Sequence, residues 1–229
     1  MTRRTFFQFA TLPAMAQSRF EELSLADFRT PSGITSPTVS WQFHEAIIET
    51  IPDARRQCDL WTVKEYEYFD LEFEWKVAPG GNSGVKYLIQ ETATDRLRDA
   101  KGEFLHETSL GFEFQLVDDD SPAGADAQVH LSGALYNYLP PTERAAHRAG
   151  QWNTARLLLQ PDRIEHWLNG RRVLGYSLES IELKTALGAK KLNSARMLER
   201  LLHRKTPIAF QHHESAAAFR RIRARNLGE

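Results

Sequence analysis

One cysteine, Cys58, in 229 residues excludes an internal disulfide framework and any multi-cysteine zinc site. Its expected role is packing. A surplus of either charge is missing as well: 29 Lys and Arg stand against 30 Asp and Glu, so no net field favours nucleic acid or an anionic membrane as a partner. A ligand is therefore expected to be small or neutral. No apolar run approaches the ~20 residues of a membrane span, and mean hydropathy is negative. A glycine-rich phosphate cradle, a Gly-x-Ser-x-Gly elbow and a His-Glu-x-x-His pair are all lacking, which removes the usual motifs of nucleotide, esterase and zinc-protease chemistry. What is present is carboxylates, amides and histidines on strand-like segments, beside aromatics such as Trp61, Tyr66, Tyr87, Tyr136, Tyr138 and Trp152. Polar groups next to ring faces suit an oligosaccharide or glycoside.

The first residues read as an address. Arg3-Arg4 precede a mostly apolar stretch that ends in Ala14-Met15-Ala16, the order of a signal peptide with the paired arginines of the twin-arginine route. Cleavage after Ala16 would leave one domain over 17–229, in the periplasm or outside the cell.

From Trp41 onward the pattern is all-β. In Phe69–Val77 apolar residues alternate with charged ones, so one face meets a core and the other meets solvent or ligand. Further strands are predicted at 85–90, 111–117, 155–159, 163–168, 172–176, 207–212 and 218–227. Asn169-Gly170 marks a two-residue hairpin between two of them, because both central positions of such a turn favour positive φ. Helical spacing of Leu192, Ala195, Leu198, Leu201 and Leu202 predicts one short surface helix near the C-terminus. Polar stretches at 91–103 and 118–129 are expected to be long loops, which in a compact domain tend to carry function.

Several segments, taken in order, resemble the 3-keto-disaccharide hydrolase family. They are Leu60–Tyr66, Phe73–Lys76, Pro79–Tyr87, Gly111–Asp118, Ser132–Tyr136, Gly150–Arg156 and Glu165–Gly170, with Gly80-Gly81-Asn82-Ser83-Gly84 within them as the most specific piece. The family's closing Leu-Gln-Asp-His-Gly and Phe-Arg-Asn-Ile stand here as Phe210-Gln211-His212-His213-Glu214 and Phe219-Arg220-Arg221-Ile222, so His212 replaces an aspartate. The resemblance implies a concanavalin A-like jelly-roll sandwich of two sheets. It also implies cleavage of glycosides whose C3 hydroxyl has been oxidised to a ketone. That carbonyl acidifies the C2 proton, so a base near neutral pKa, a donor or cation for the enolate and an acid for the leaving oxygen would complete an elimination.

Within this frame Glu113 is the expected general base, since Glu113 and Gln115 share a strand face opposite Phe112, Phe114 and Leu116 and would project into a concave sheet. Lys86 is expected to stabilise the enolate and His213 to complete the catalytic set. Glu74, Asn82, Gln115, Tyr136, His166 and Gln211 are expected to bind substrate. Each has a plainer reading: a solvated or ion-paired carboxylate, a turn-forming asparagine, a core aromatic, a hydrogen-bonded histidine. Glu74 could pair with Lys76 or Lys86, or join Glu113 in ordinary glycoside hydrolysis. His130 is a weaker candidate, and Trp152 could stack on a sugar. Asp118-Asp119-Asp120 with Asp126 offer hard oxygen ligands for a divalent cation, but no metal ligand is assigned and no other cofactor is called for. The rival to catalysis is a carbohydrate-binding module on the same sheet.

Overall fold

A computed structural model of the chain describes residues 19–35, 38–121 and 127–228. The signal peptide expected over 1–16 lies outside them, as does Asp126. Six short strands come first: β1 (Glu21–Glu22), β2 (Phe28–Arg29), β3 (Trp41–His44), β4 (Ile47–Thr50), β5 (Arg56–Cys58) and β6 (Leu60–Thr62). Three long ones follow, β7 (Phe69–Val77), β8 (Asn82–Asp99) and β9 (Gly102–Val117), then β10 (Asn153–Leu159), β11 (Ile164–Leu168) and β12 (Arg171–Tyr176). Helices α1 (Ile181–Ala189) and α2 (Asn193–Arg200) precede β13 (Ala209–Phe210) and β14 (Ala217–Asn226).

The strands form a two-sheet jelly-roll sandwich. The larger sheet runs β12-β11-β10-β7-β14-β4-β3, with β1 added along β14, and the smaller runs β2-β6-β13-β8-β9-β5. Only the β5–β9 pair is parallel among the described ladders. Alternation in β7 puts Phe69, Leu71, Phe73, Trp75 and Val77 into the space between the sheets. There Phe73 meets Phe114 of β9 at 6.3 Å and Phe210 of β13 at 5.8 Å between ring centroids, both edge to face, the preferred geometry of packed rings. Cys58 is buried beside the Ser40 hydroxyl at 3.2 Å, and burial pushes its thiol up to about 11, as a packing residue requires.

Three expectations need correction. The stretch 91–103 is not a loop: β8 and β9 continue as an antiparallel ribbon from Glu91↔Leu110 to Asp99↔Gly102. Most of its β8 residues are exposed, so the apolar alternation that marks a half-buried strand is missing. The ribbon begins where the register shifts between Tyr87 and Glu91, with Leu88 at φ 50°. One predicted helix is two. In α2 Ala195 and Leu198 are buried, but the flanking Leu192 and Leu202 are 57% and 70% exposed, and the helix stops at Leu201, φ 39°. The other helix, α1, starts at Ser180, whose hydroxyl accepts from the Leu183 amide, and buries Leu183 and Leu187. Finally, of the strand predicted over 207–212 only Ala209–Phe210 forms ladder pairs. The Asn169-Gly170 turn is found with φ of 48° and 78°, as its hairpin type demands.

Candidate functional site

Cross-strand register builds the site. Trp61, Ala209, Lys86 and Glu113 are successive partners across β6, β13, β8 and β9, so they share the outer face of the smaller sheet. One residue along, Leu60, Phe210, Val85 and Phe114 form the matching row on the core face. The small Ala209 separates Lys86 from Trp61, over which the Arg29 guanidinium lies at 4.8 Å. Above the Lys86–Glu113 pair is a hollow of about 170 Å³ whose walls include Thr108, Ser109, Tyr136 and, from α2, Ser194 and Leu198.

Glu113 is 9% exposed, and among the described residues nothing hydrogen-bonds its carboxyl. Burial pushes that carboxyl up to about 7; the Lys86 charge opposes the shift and Asp59 adds to it. Its side chain folds over Gly84, where an added Cβ would lie 2.8 Å from Glu113 Cγ and Cδ. Lys86 is 4% exposed; its Nζ donates to Thr108 Oγ1 at 2.6 Å and pairs with Asp59 Oδ2 at 3.1 Å. Asp59 is fully buried and also accepts from the backbone amides of Ser109 (2.8 Å) and His212 (3.3 Å). The sequence reading missed Asp59. Its one signal is a lone carboxylate between Cys58 and Leu60 in a strand-like run, where a charge is expected only if it is paired.

A second polar row adjoins the first. Gln115 is the partner of Gly84 in the ladder, and the Gln211 amide donates to the Gly84 carbonyl at 2.8 Å. Gln115 Nε2 donates to Asn82 Oδ1 at 3.0 Å, whereas Oε1 of Gln115 and Oε1 of Gln211 are buried without a partner. Unpaired buried acceptors are costly, and these two oxygens are enclosed, on residues that do not line the hollow above Glu113. Tyr136 donates its amide to the Glu113 carbonyl at 3.0 Å, and its ring leans on His130 at 5.1 Å. His213 has an exposed side chain that neighbours still crowd. Desolvation lowers its pKa, a backbone hydrogen bond and the Glu214 carboxylate oppose this, and the positive fields of His106 and Lys86 add to the lowering, so the neutral form is favoured; His213 does not line the hollow above Glu113. Its neighbour His212 turns inward, edge-on to Trp41 at 5.7 Å, with Nε2 by the Ile51 carbonyl at 3.0 Å; burial pushes it down to about 4.

Two expected site residues lie elsewhere. Glu74 is on the outer face of the larger sheet, where it accepts from Arg220 and Arg221 at 2.7 Å each, not from Lys76 or Lys86. Partial burial pushes its carboxyl up, but those guanidinium hydrogen bonds outweigh it and hold the group below its ordinary range. The Phe73–Phe114 core separates Glu74 from Glu113, so the two cannot flank one glycosidic bond. His166 is in that core, fully buried, stacked on Phe114 at 4.3 Å, with Nε2 at 2.8 Å from the Tyr87 hydroxyl and Nδ1 at 2.9 Å from the Gly133 carbonyl. Burial pushes it down to about 4. It braces the sandwich and reaches no ligand. Trp152 also sits on the larger sheet, under Arg220 at 4.0 Å and Lys76 at 4.9 Å.

The acidic loop spends its oxygens on backbone: Asp118 accepts from the Gly80 and Asp120 amides and Asp119 from the Ser132 amide. Among the described residues no group of three or more His, Cys, Asp or Glu side chains is placed to hold a metal ion. A larger hollow, about 500 Å³, opens on the outer face of the larger sheet between Glu72, Glu74, Arg156 and Arg223. Its carboxylates are tied to arginines, whereas the smaller hollow holds an unpartnered carboxyl poised near neutrality. Of the two, the smaller is the candidate site for acid–base chemistry.

A family model described as 3-keto-alpha-glucoside-1,2-lyase-like domain matches residues 16–225. A 3-keto-disaccharide hydrolase of Bacteroides thetaiotaomicron (strain ATCC 29148) is 30% identical over 158 residues, which cover 67% of this chain and 50% of that protein. The matched region thus spans about half the length of that relative. Two crystal structures of candidate glycosyl hydrolases from Parabacteroides distasonis ATCC 8503 share the fold. One has a TM-score of 0.70 at 23% identity over 88% of each chain. The other has a TM-score of 0.65 at 21% identity over 91% of this chain and 100% of its own.

Proposed function

Because the chain belongs to the 3-keto-alpha-glucoside-1,2-lyase-like domain family, we propose that it cleaves 3-keto-glycosides by elimination, with Glu113 as the general base. The carboxyl of Glu113 carries the reading: it is buried, unpartnered, shifted to about 7 and next to a lysine in the ladder. A carboxylate of that pKa is largely ionised just above neutrality and strong enough to take a proton acidified by a neighbouring carbonyl. In the proposed reaction the C2 proton passes to Glu113 and the electron pair moves onto the C3 oxygen as an enolate. The Lys86 ammonium, held by Asp59 and Thr108, stabilises that charge in a site with little water. Collapse of the enolate breaks the C1–O bond, and the departing oxygen takes up the proton held by Glu113, which returns the base to its carboxylate. Water then adds to the unsaturated sugar to complete net hydrolysis, with neutral His213 assigned to activating it. Gln115 and Gln211, whose Oε1 atoms lack partners, and Asn82, whose Oδ1 accepts from Gln115, are assigned to sugar hydroxyls, and Tyr136 walls the ring.

The reading includes export, resting on the Arg3-Arg4 and Ala14-Met15-Ala16 order alone. It is tested by incubating the protein with a 3-keto glucoside and with the unoxidised parent. Turnover of the keto sugar only is the expected result. Cleavage of the parent only would point to an ordinary glycosidase, and binding without turnover of either to a carbohydrate-binding module.

A further inference from the structure

The opposite side of the molecule carries a second arrangement that the reaction does not use. On the outer face of the larger sheet, register places Arg223, Glu72, Arg156, Trp167 and Arg172 in one unbroken row across β14, β7, β10, β11 and β12. With strands about 4.8 Å apart the row is roughly 20 Å long. The 500 Å³ groove lies along it from Arg223 to Trp167. Cations are in excess here although the whole chain has a net charge of −1. Four carboxylates, Asp70, Glu72, Glu74 and Glu165, share seven arginines, and every one but Glu72 is held by two. Glu22 on the rim does not cancel the surplus. Arg221, Arg172 and Arg223 keep 74%, 52% and 49% of their side-chain surface in solvent.

The backbone is bent to achieve this. The register of β14 shifts between Arg220 and Arg223, and Arg221 takes φ 51°, a region that favours glycine or asparagine and costs a long side chain energy. The bulge turns Arg221 onto the same face as Arg220, so both reach Glu74. Fourth in the row, Trp167 is half-buried, with the Arg156 guanidinium 5.9 Å from its ring centroid and a 2.9 Å hydrogen bond from its indole N–H to Glu165.

We propose that this face binds an acidic polysaccharide, one bearing carboxylate or sulfate groups, with a sugar ring on the Trp167 indole and the anions on the flanking arginines. The indole beside the arginines selects this occupant. A duplex phosphate backbone or a lipid surface offers anions to Arg223 and Arg172 but no ring face to Trp167, whereas an acidic sugar polymer offers both. The site is on the far side of the core from Glu113, so it would hold a polymer while the reaction hollow stays free.

Affinity electrophoresis of the whole chain in gels containing polygalacturonate, dextran sulfate or uncharged dextran tests this directly. The protein should be retarded at low salt by at least one acidic polymer, less as salt rises, and not by dextran. Which polymer acts separates carboxylate from sulfate. The double variant Arg172→Ser, Arg221→Asn should bind at least fivefold more weakly and melt no lower, since asparagine suits the backbone at 221. Absence of retardation by both acidic polymers, equal binding of duplex DNA or anionic-lipid vesicles, or an unimpaired double variant would overturn the assignment. None of these arms requires turnover, so the result is independent of the reaction at Glu113.

Discussion

A carboxyl with a pKa of about 7 has consequences that single substitutions expose. Glu113→Gln keeps the shape but removes the base, and turnover of a 3-keto glucoside should fall roughly 10²- to 10⁴-fold with KM little changed. The wild-type rate should rise with pH as Glu113 ionises, with its lower inflection near 7; a profile flat from pH 5 to 8 would remove Glu113 as the base. Gly84→Ala tests the same group from behind. The new methyl would press on Glu113 Cγ and Cδ, so the carboxylate must leave its position or the sheet must bend, at a cost of about 1–3 kcal/mol. The expected outcome is a slower, less stable enzyme, read by steady-state kinetics and urea unfolding.

At the scale of elements, the segment joining β5 to β6 acts as a strap. Its Asp59 ties Lys86 of β8, the Ser109 amide of β9 and the His212 amide beyond β13 into one buried point. Asp59→Asn would leave the Lys86 ammonium buried without its counter-charge, a change that typically destabilises by about 3–5 kcal/mol; an unaltered urea midpoint would show that the pair is already compensated. Elements also explain what the sequence could and could not reveal. Phe112–Leu116 alternates cleanly, so the outward face of Glu113 and Gln115 was legible. Alternation assigns a side of a strand but not which of two sheets the strand joins, and for that reason Glu74 was placed with Glu113 when it faces the opposite way. In β11 the pattern was readable and misjudged: Ile164, His166 and Leu168 share the parity that faces the core. Ribbon β8–β9 stayed hidden because exposed strands carry no apolar signature, and the arginine row because its members come from strands far apart in the chain.

For the whole molecule, the large shifts between pH 4 and 8 belong to three buried groups, and these dominate how stability varies with pH in that range. His166 and His212 are held near 4 in the folded state against an ordinary 6.5, so they fold neutral. Their contribution is complete above pH 6.5 and is lost as pH falls towards 4, by several kcal/mol on the usual ~1.4 kcal/mol per pKa unit. Glu113 acts in the opposite sense. Its folded value of about 7 lies above the ordinary 4.5, so the native state holds a proton that the unfolded chain has released, and stability declines as pH rises from 4.5 through 7. Two histidines, still half protonated in the unfolded chain at pH 6.5, outweigh one carboxyl there, and the two effects balance at about pH 7. Stability should therefore be greatest near pH 7. In Glu113→Gln the loss that the carboxyl accumulates between pH 4.5 and 7 should vanish, making the inactive variant the more stable protein at pH 8 by up to about 3 kcal/mol. Urea unfolding of both proteins at pH 5, 6.5 and 8 decides it: if the variant gains nothing at pH 8, Glu113 is not held protonated by burial, and the case for a base tuned to neutrality goes with it.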